Sequence, residues 1–182
     1  VVEAADYGTN KTGDIVITSN TGARVIAVNA FSYLADGEIV SVVPNAGQIG
    51  TVVTIRGSLL LGGGDAIESV QFAGTELFVS AASNDTVIYC EVLEQGTGTG
   101  DVIITSDTGV VTRFIDGWTF SEIVSISPTL GQRGTIVEIK GRALKAGGTS
   151  IDSVRLAGTP VTRQEVFLQG SVVLACEAYE YC

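Results

Sequence analysis

The chain has 182 residues, 45% of them apolar and 16% charged, with a net charge of −10 and a pI near 4.3. That acidic balance repels phosphate backbones, so nucleic acid is not expected as a partner. The sequence contains no histidine. The commonest general base, every Ser-His-Asp or Cys-His arrangement and the usual zinc ligand are therefore missing, and a non-enzymatic protein without cofactor or metal is expected. Mean hydropathy is +0.39, yet no apolar run approaches the roughly 18 residues of a spanning helix, so no direct membrane span is expected. Methionine and a signal-peptide pattern are both missing, which reads as a processed chain or a segment of a longer one.

In chain order the predicted elements are all strands. GDIVITS (Gly13–Ser19) and VIAVNAFSY (Val25–Tyr33) are β-branched runs around a polar turn, ending on Phe31 and Tyr33. EIVSVV then halts at Pro44, which lacks the N–H a ladder needs. Gly47 and Gly50 permit a turn before TVVTIRG, where Val53 and Ile55 alternate with Thr54 and Arg56 and so face a core. LLLGGGDAIES (Leu59–Ser69) lacks the Gly-Lys-Ser/Thr of a phosphate cradle and reads as a turn. IESVQFAG, DTVIYCEV and GDVIITS follow as short strands, and Trp118 and Phe120 are expected to close the core. No stretch carries a 3.6-residue period.

After Ser121 the pattern starts again. Glu38–Gly57 and Glu122–Gly141 match at 12 of 20 positions, offset by 84. Ala66–Thr75 matches Ser150–Thr159 at 6 of 10 with the same offset, and the Cys-Glu of Cys90 recurs at Cys176. Gly13–Gly22 matches Gly100–Gly109 at 7 of 10, offset by 87, and Phe31 and Tyr33 then stand where Trp118 and Phe120 stand. The repeat is about 85 residues long. Short strands with turns every 8–12 residues predict an antiparallel sandwich.

The pattern I-x-S-(I/V)-x-P-x-x-G-Q-x-G-T-x-V-x-I-x-G, followed by SV-x-(F/L)-AGT, the Cys-Glu strand and the G-D-(I/V)-x-I-T-S strand, resembles IPT/TIG domains. The resemblance implies an all-β chain of tandem immunoglobulin-like sandwiches. Residues 38–121 read as one complete unit, 1–37 as the closing strands of a unit and 122–182 as the opening strands of another.

Alone, each incomplete piece would expose an apolar face and unpaired edges. Three arrangements are open: a fragment of a longer array, folding of 1–37 onto 122–182 within one chain, or completion of 122–182 by 1–37 of a neighbouring copy. The repeat ends at the phase where the chain begins, and complementation between copies is the leading expectation. Such a contact is heterologous and propagates head to tail. Ile15, Ile17, Val25 and Val28 are the expected subunit interface, docking against the sheet that ends near Val173.

Asn10-Lys11-Thr12 and Asn84-Asp85-Thr86 are N-glycosylation sequons before predicted strands. Thr9, Thr12, Thr97 and Thr99 are weaker candidates for O-linked sugar. Cys90 alternates with Ile88 and Val92 and reads as a buried thiol. Cys176 and Cys182 are disulfide candidates, although Cys182 can equally reach another copy. Asp65, Glu68, Asp101, Asp107 and Asp116 have no calcium-loop spacing and read as solvated carboxylates.

The leading expectation is a structural subunit of an extracellular or cell-surface filament whose partner is itself. The alternatives are a binding or adhesion segment of a longer IPT/TIG array and an accessory module of a secreted carbohydrate-active enzyme.

Overall fold

A computed structural model of the protein describes the backbone over residues 10–168 and 171–178 and side chains over 10–161. The strands in chain order are β1 (Lys11–Thr18), β2 (Arg24–Tyr33), β3 (Glu38–Val43), β4 (Ala46–Gly47), β5 (Val52–Ser58), β6 (Ile67–Phe72), β7 (Thr75–Glu76) and β8 (Phe78–Val79). They continue with β9 (Val87–Glu91), β10 (Thr99–Ser106), β11 (Val111–Phe120), β12 (Glu122–Ser127), β13 (Ile136–Arg142), β14 (Arg155–Leu156), β15 (Thr159–Leu168) and β16 (Ser171–Ala178). Among the described residues there is no helix.

The middle of the chain is a sandwich of two sheets, ordered β3-β5-β9-β8 and β4-β11-β10-β6-β7. Alternation places one face of each strand inward. Val53 and Ile55 on β5 are fully buried, as are Ile88 on β9, Val70 and Phe72 on β6, and Val102 and Ile104 on β10. Arg56 points to water, as its position in the alternation predicts. Trp118 and Phe120 close the core, with Phe72 and Trp118 ring centroids 4.6 Å apart. Gly96 has no side chain because a Cβ there would overlap the Phe120 ring.

The ends of this sandwich are tied by Gln48. Its Nε2 donates to the carbonyls of Gly96 at 2.7 Å and Ser121 at 2.9 Å. Thr51 Oγ1 braces the same turn, accepting from Gln48 N at 3.1 Å. The strands before both prolines stop as expected, at Val43 and Ser127.

On either side the described residues form only part of a sandwich. Strands β1 and β2 form a two-stranded sheet of their own. The C-terminal part is one sheet, β12-β13-β16-β15-β14, counterpart of the first sheet of the middle unit. Val137 and Ile139 on β13 are buried against Leu144, Ile151, Val154, Leu156 and Val161. The strands that would form the second sheet, equivalent to β10 and β11, have no counterpart among residues 122–178.

Both joints between units are tight. A Cβ on Gly37 would stand 2.6 Å from both Leu59 O and Thr112 Oγ1. At the second joint Ser121 Oγ donates to Ala143 O at 2.8 Å, and Gly147 lies against Pro44.

Candidate functional site

The hairpin β1–β2 repeats the local architecture of β10–β11. The ladder slips between Gly13 and Ile15 as it does between Gly100 and Val102. At each slip an aspartate holds a left-handed residue. Asn29 (φ 49) donates its N–H to Asp14 Oδ1 at 2.8 Å, and Asp116 (φ 50) donates to Asp101 Oδ1 at 3.0 Å. Thr12 and Ser32 share a 2.7 Å hydroxyl bond, as Thr99 and Thr119 do at 2.9 Å. Phe31 and Tyr33 pack edge to face at 5.0 Å, the relation between Trp118 and Phe120 at 5.9 Å.

The surroundings of the two hairpins differ. Ile104 is fully buried, whereas its repeat equivalent Ile17 is 64% exposed. Trp118 is fully buried and its equivalent Phe31 is 44% exposed. Ile15 and Val25 are likewise exposed, while their equivalents Val102 and Thr112 are buried. Val28 corresponds to Ile115, which is itself exposed in the complete sandwich. The large exposed apolar residues of the hairpin whose repeat equivalents are buried are therefore Ile15, Ile17, Val25 and Phe31.

The C-terminal part likewise leaves apolar side chains open. Ile123 is 60% exposed where its equivalent Ile39 is 4% exposed. An open cavity of about 650 Å³ is lined by Ile126, Gln132, Val137, Leu156 and Val161 among others. Their equivalents in the middle unit are Val42, Gln48, Val53, Phe72 and Leu77, and all but Gln48 belong to the core that holds Trp118 and Phe120.

The open edge tells the same story in backbone terms. In the middle unit β10 pairs with β6 from Val102–Phe72 to Ser106–Ile67. The equivalent of β6 spans residues 151–156, and only Arg155–Leu156 is a strand. Arg155–Leu156 pairs with Thr159–Pro160 on one side; its other edge has no ladder partner among the described residues, and an unpaired edge is one that another chain can join. Val173 lies on β16 opposite Lys140; its side chain, like that of Cys176, is outside the described set, as is all of Cys182.

The remaining candidates sit apart from this surface. Asn84 is exposed, and its Oδ1 accepts from Thr86 N, Thr86 Oγ1 and Val87 N at 3.0, 2.9 and 3.0 Å. Asn10 is exposed just before β1. Thr9 lies outside the described residues. Asp101 pairs with Arg113 at 3.3 Å and Asp107 accepts from Asp65 N at 3.2 Å. Among the described residues no three His, Cys, Asp or Glu come together to hold a metal ion.

Cys90 is buried on β9 with its Sγ 3.8 Å from Val53 O. Desolvation pushes its pKa up from 9.0 to about 12, so the thiol stays protonated and inert. The Cys90 peptide is expected to escape alkylation in the native protein at pH 8 and to label fully after unfolding, as read by mass spectrometry. The unfolded chain ionises this thiol above its ordinary value while the folded one does not. Stability is therefore expected to fall as pH rises through the window from 9.0 to about 12.

The family model of the IPT/TIG domain matches residues 38–120. No curated protein matches the chain. Among solved structures, the plexin A4 extracellular region aligns at 23% identity and a TM-score of 0.42, over 82% of this chain and 14% of that one. A surface glycan-binding protein from Prevotella bryantii aligns at 9% identity and a TM-score of 0.38, over 80% and 37%. A protein from a xyloglucan utilization locus of Bacteroides uniformis aligns at 16% and 0.40, over 78% and 52%. The chain thus spans about half or less of each of these structures.

Proposed function

The chain carries an IPT/TIG domain over residues 38–120, and from that premise we propose that it is a non-enzymatic, extracellular structural subunit that polymerises head to tail. In this reading β1–β2 of one copy completes the unit that opens at Glu122 in the next. The observation that carries it is the matched pair of unfinished parts. The hairpin keeps the local bonds of a docked β10–β11, yet Phe31 stands 44% exposed, while the other part holds an open cavity of about 650 Å³ lined in part by the equivalents of the core residues Val42, Val53, Phe72 and Leu77. Strand addition supplies backbone bonds along the open 151–156 edge, and apolar burial supplies the larger driving force.

A second reading is favoured by the repeat itself: a binding or adhesion segment of a longer IPT/TIG array, each part completed by adjoining sequence of the same polypeptide. Electron microscopy of native material, combined with the mass of the denatured chain, separates the two. Uniform filaments built from a chain of this length support complementation. Filaments or particles built from a much longer polypeptide would sink it.

The extracellular assignment includes N-linked sugar on Asn10 and Asn84, both exposed in sequons. Enzymatic amide-linked deglycosylation of native material is expected to convert both to aspartate. Unconverted asparagine at both would remove glycans from the proposed partners.

A further inference from the structure

We propose that the junction between copies is keyed by size, so that a C-terminal unit accepts a β1–β2 hairpin with alanine at position 23 and rejects one with the valine that stands at the equivalent position 110. This rests on the complementation reading above. The hairpin β10–β11 is packed in its own sandwich, with Ile104, Trp118 and Phe120 fully buried, and it shows what a docked hairpin of this construction meets.

The discriminating contact lies where the hairpin turn meets the loop after the second strand of the unit. In the middle unit that loop residue is Gly62 (φ 56). A Cβ there would meet Val110 Cβ at 2.7 Å, Cγ1 at 2.8 Å and Cγ2 at 3.0 Å. Val110 fills all the space, and glycine is required. The equivalent loop residue in the C-terminal unit is Ala146 (φ 48), held by the same bond: Ala146 N to Ala143 O at 2.7 Å against Gly62 N to Leu59 O at 3.0 Å. The methyl is therefore present where the middle unit excludes it, in a left-handed conformation that ordinarily favours glycine.

The hairpin turn has changed in the opposite sense. Val110 follows the turn closed by Ser106 N to Val110 O at 3.0 Å, and Ala23 follows the turn closed by Ser19 N to Ala23 O at 2.9 Å. Valine on one side with glycine on the other has become alanine with alanine. A hairpin bearing valine would drive three carbons onto Ala146. A hairpin bearing Ala23 keeps one, which a small displacement of this exposed turn relieves.

The experiment uses the full chain and measures the critical concentration for filament formation. Ala23→Val is expected to raise it about tenfold, the cost of overpacking one site. Adding Ala146→Gly to that variant is expected to restore assembly to near the wild-type value. Ala23 is exposed in the isolated subunit, so the thermal unfolding of the monomer should not change. If Ala23→Val assembles like wild type, or if Ala146→Gly fails to rescue it, the key is wrong while complementation stands. If the wild-type chain forms no complemented filament, the functional reading itself falls.

Discussion

A chain lacking residues 1–37 is expected to remain a dispersed particle at concentrations where the full chain forms filaments. The deletion removes the whole hairpin and with it Ile15, Ile17, Val25 and Phe31, the side chains whose equivalents Val102, Ile104, Thr112 and Trp118 are buried. It leaves β3 through β11 intact, so the middle sandwich should unfold at nearly the same temperature. Sedimentation velocity and negative-stain microscopy read the first outcome and calorimetry the second. Filaments that persist without the hairpin would overturn complementation, because β10–β11, the other hairpin of this construction, is already packed in the middle sandwich.

Trp118→Ala should cost about 3–5 kcal/mol, the range for deleting a large buried aromatic. Trp118 packs on Phe72 at 4.6 Å and on Phe120 at 5.9 Å in a site with no solvent access. Its Nε1 is buried without a hydrogen-bond acceptor. That orphan donor costs about 1–3 kcal/mol and places the loss toward the low end of the range. The equivalent change in the hairpin, Phe31→Ala, should move monomer stability by only about 0.5 kcal/mol or less, the usual size for surface substitutions. In filaments the order changes, and Phe31→Ala should lower their resistance to denaturant. Equal effects of the two substitutions on the isolated subunit would mean that the hairpin is already docked within one chain.

Much of this was legible in the sequence because the repeat fixes its own landmarks. Pro44, Gly47 and Gly50 recur at Pro128, Gly131 and Gly134, and the alternation in β5 and β13 assigns Val53, Ile55, Val137 and Ile139 to the core. The buried state of Trp118, Phe120 and Cys90 follows from the same alternation. Other features left no such trace. Leu59, Ala73, Ala143 and Ala157 have positive φ, a conformation their side chains disfavour, so residue type points away from it. The role of Gln48 depends on carbonyls 48 and 73 residues away, beyond any local pattern.

The break between β7 and β8 was hidden for a different reason. In the middle unit the chain crosses from one sheet to the other at Leu77, which is buried between them. The same sequence phase in the C-terminal part runs straight through as β15, a strand of ten residues. A crossing needs two sheets to cross between, and there only one is present.

The tight joints bear on how a polymer of this subunit would respond to pulling. Gly37 is wedged against Leu59 O and Thr112 Oγ1, and Ser121 is bonded to Ala143 O at 2.8 Å. Neither connection contains slack chain that extends under load. Tension would pass along the covalent backbone from β2 into the middle sandwich and on into β12. In a complemented filament it would then pass, at every second unit, from one polypeptide to another through hydrogen bonds and packed side chains alone. The fibre would accordingly be stiff in bending, and its tensile strength would be set by the unbonded junction rather than by the peptide chain.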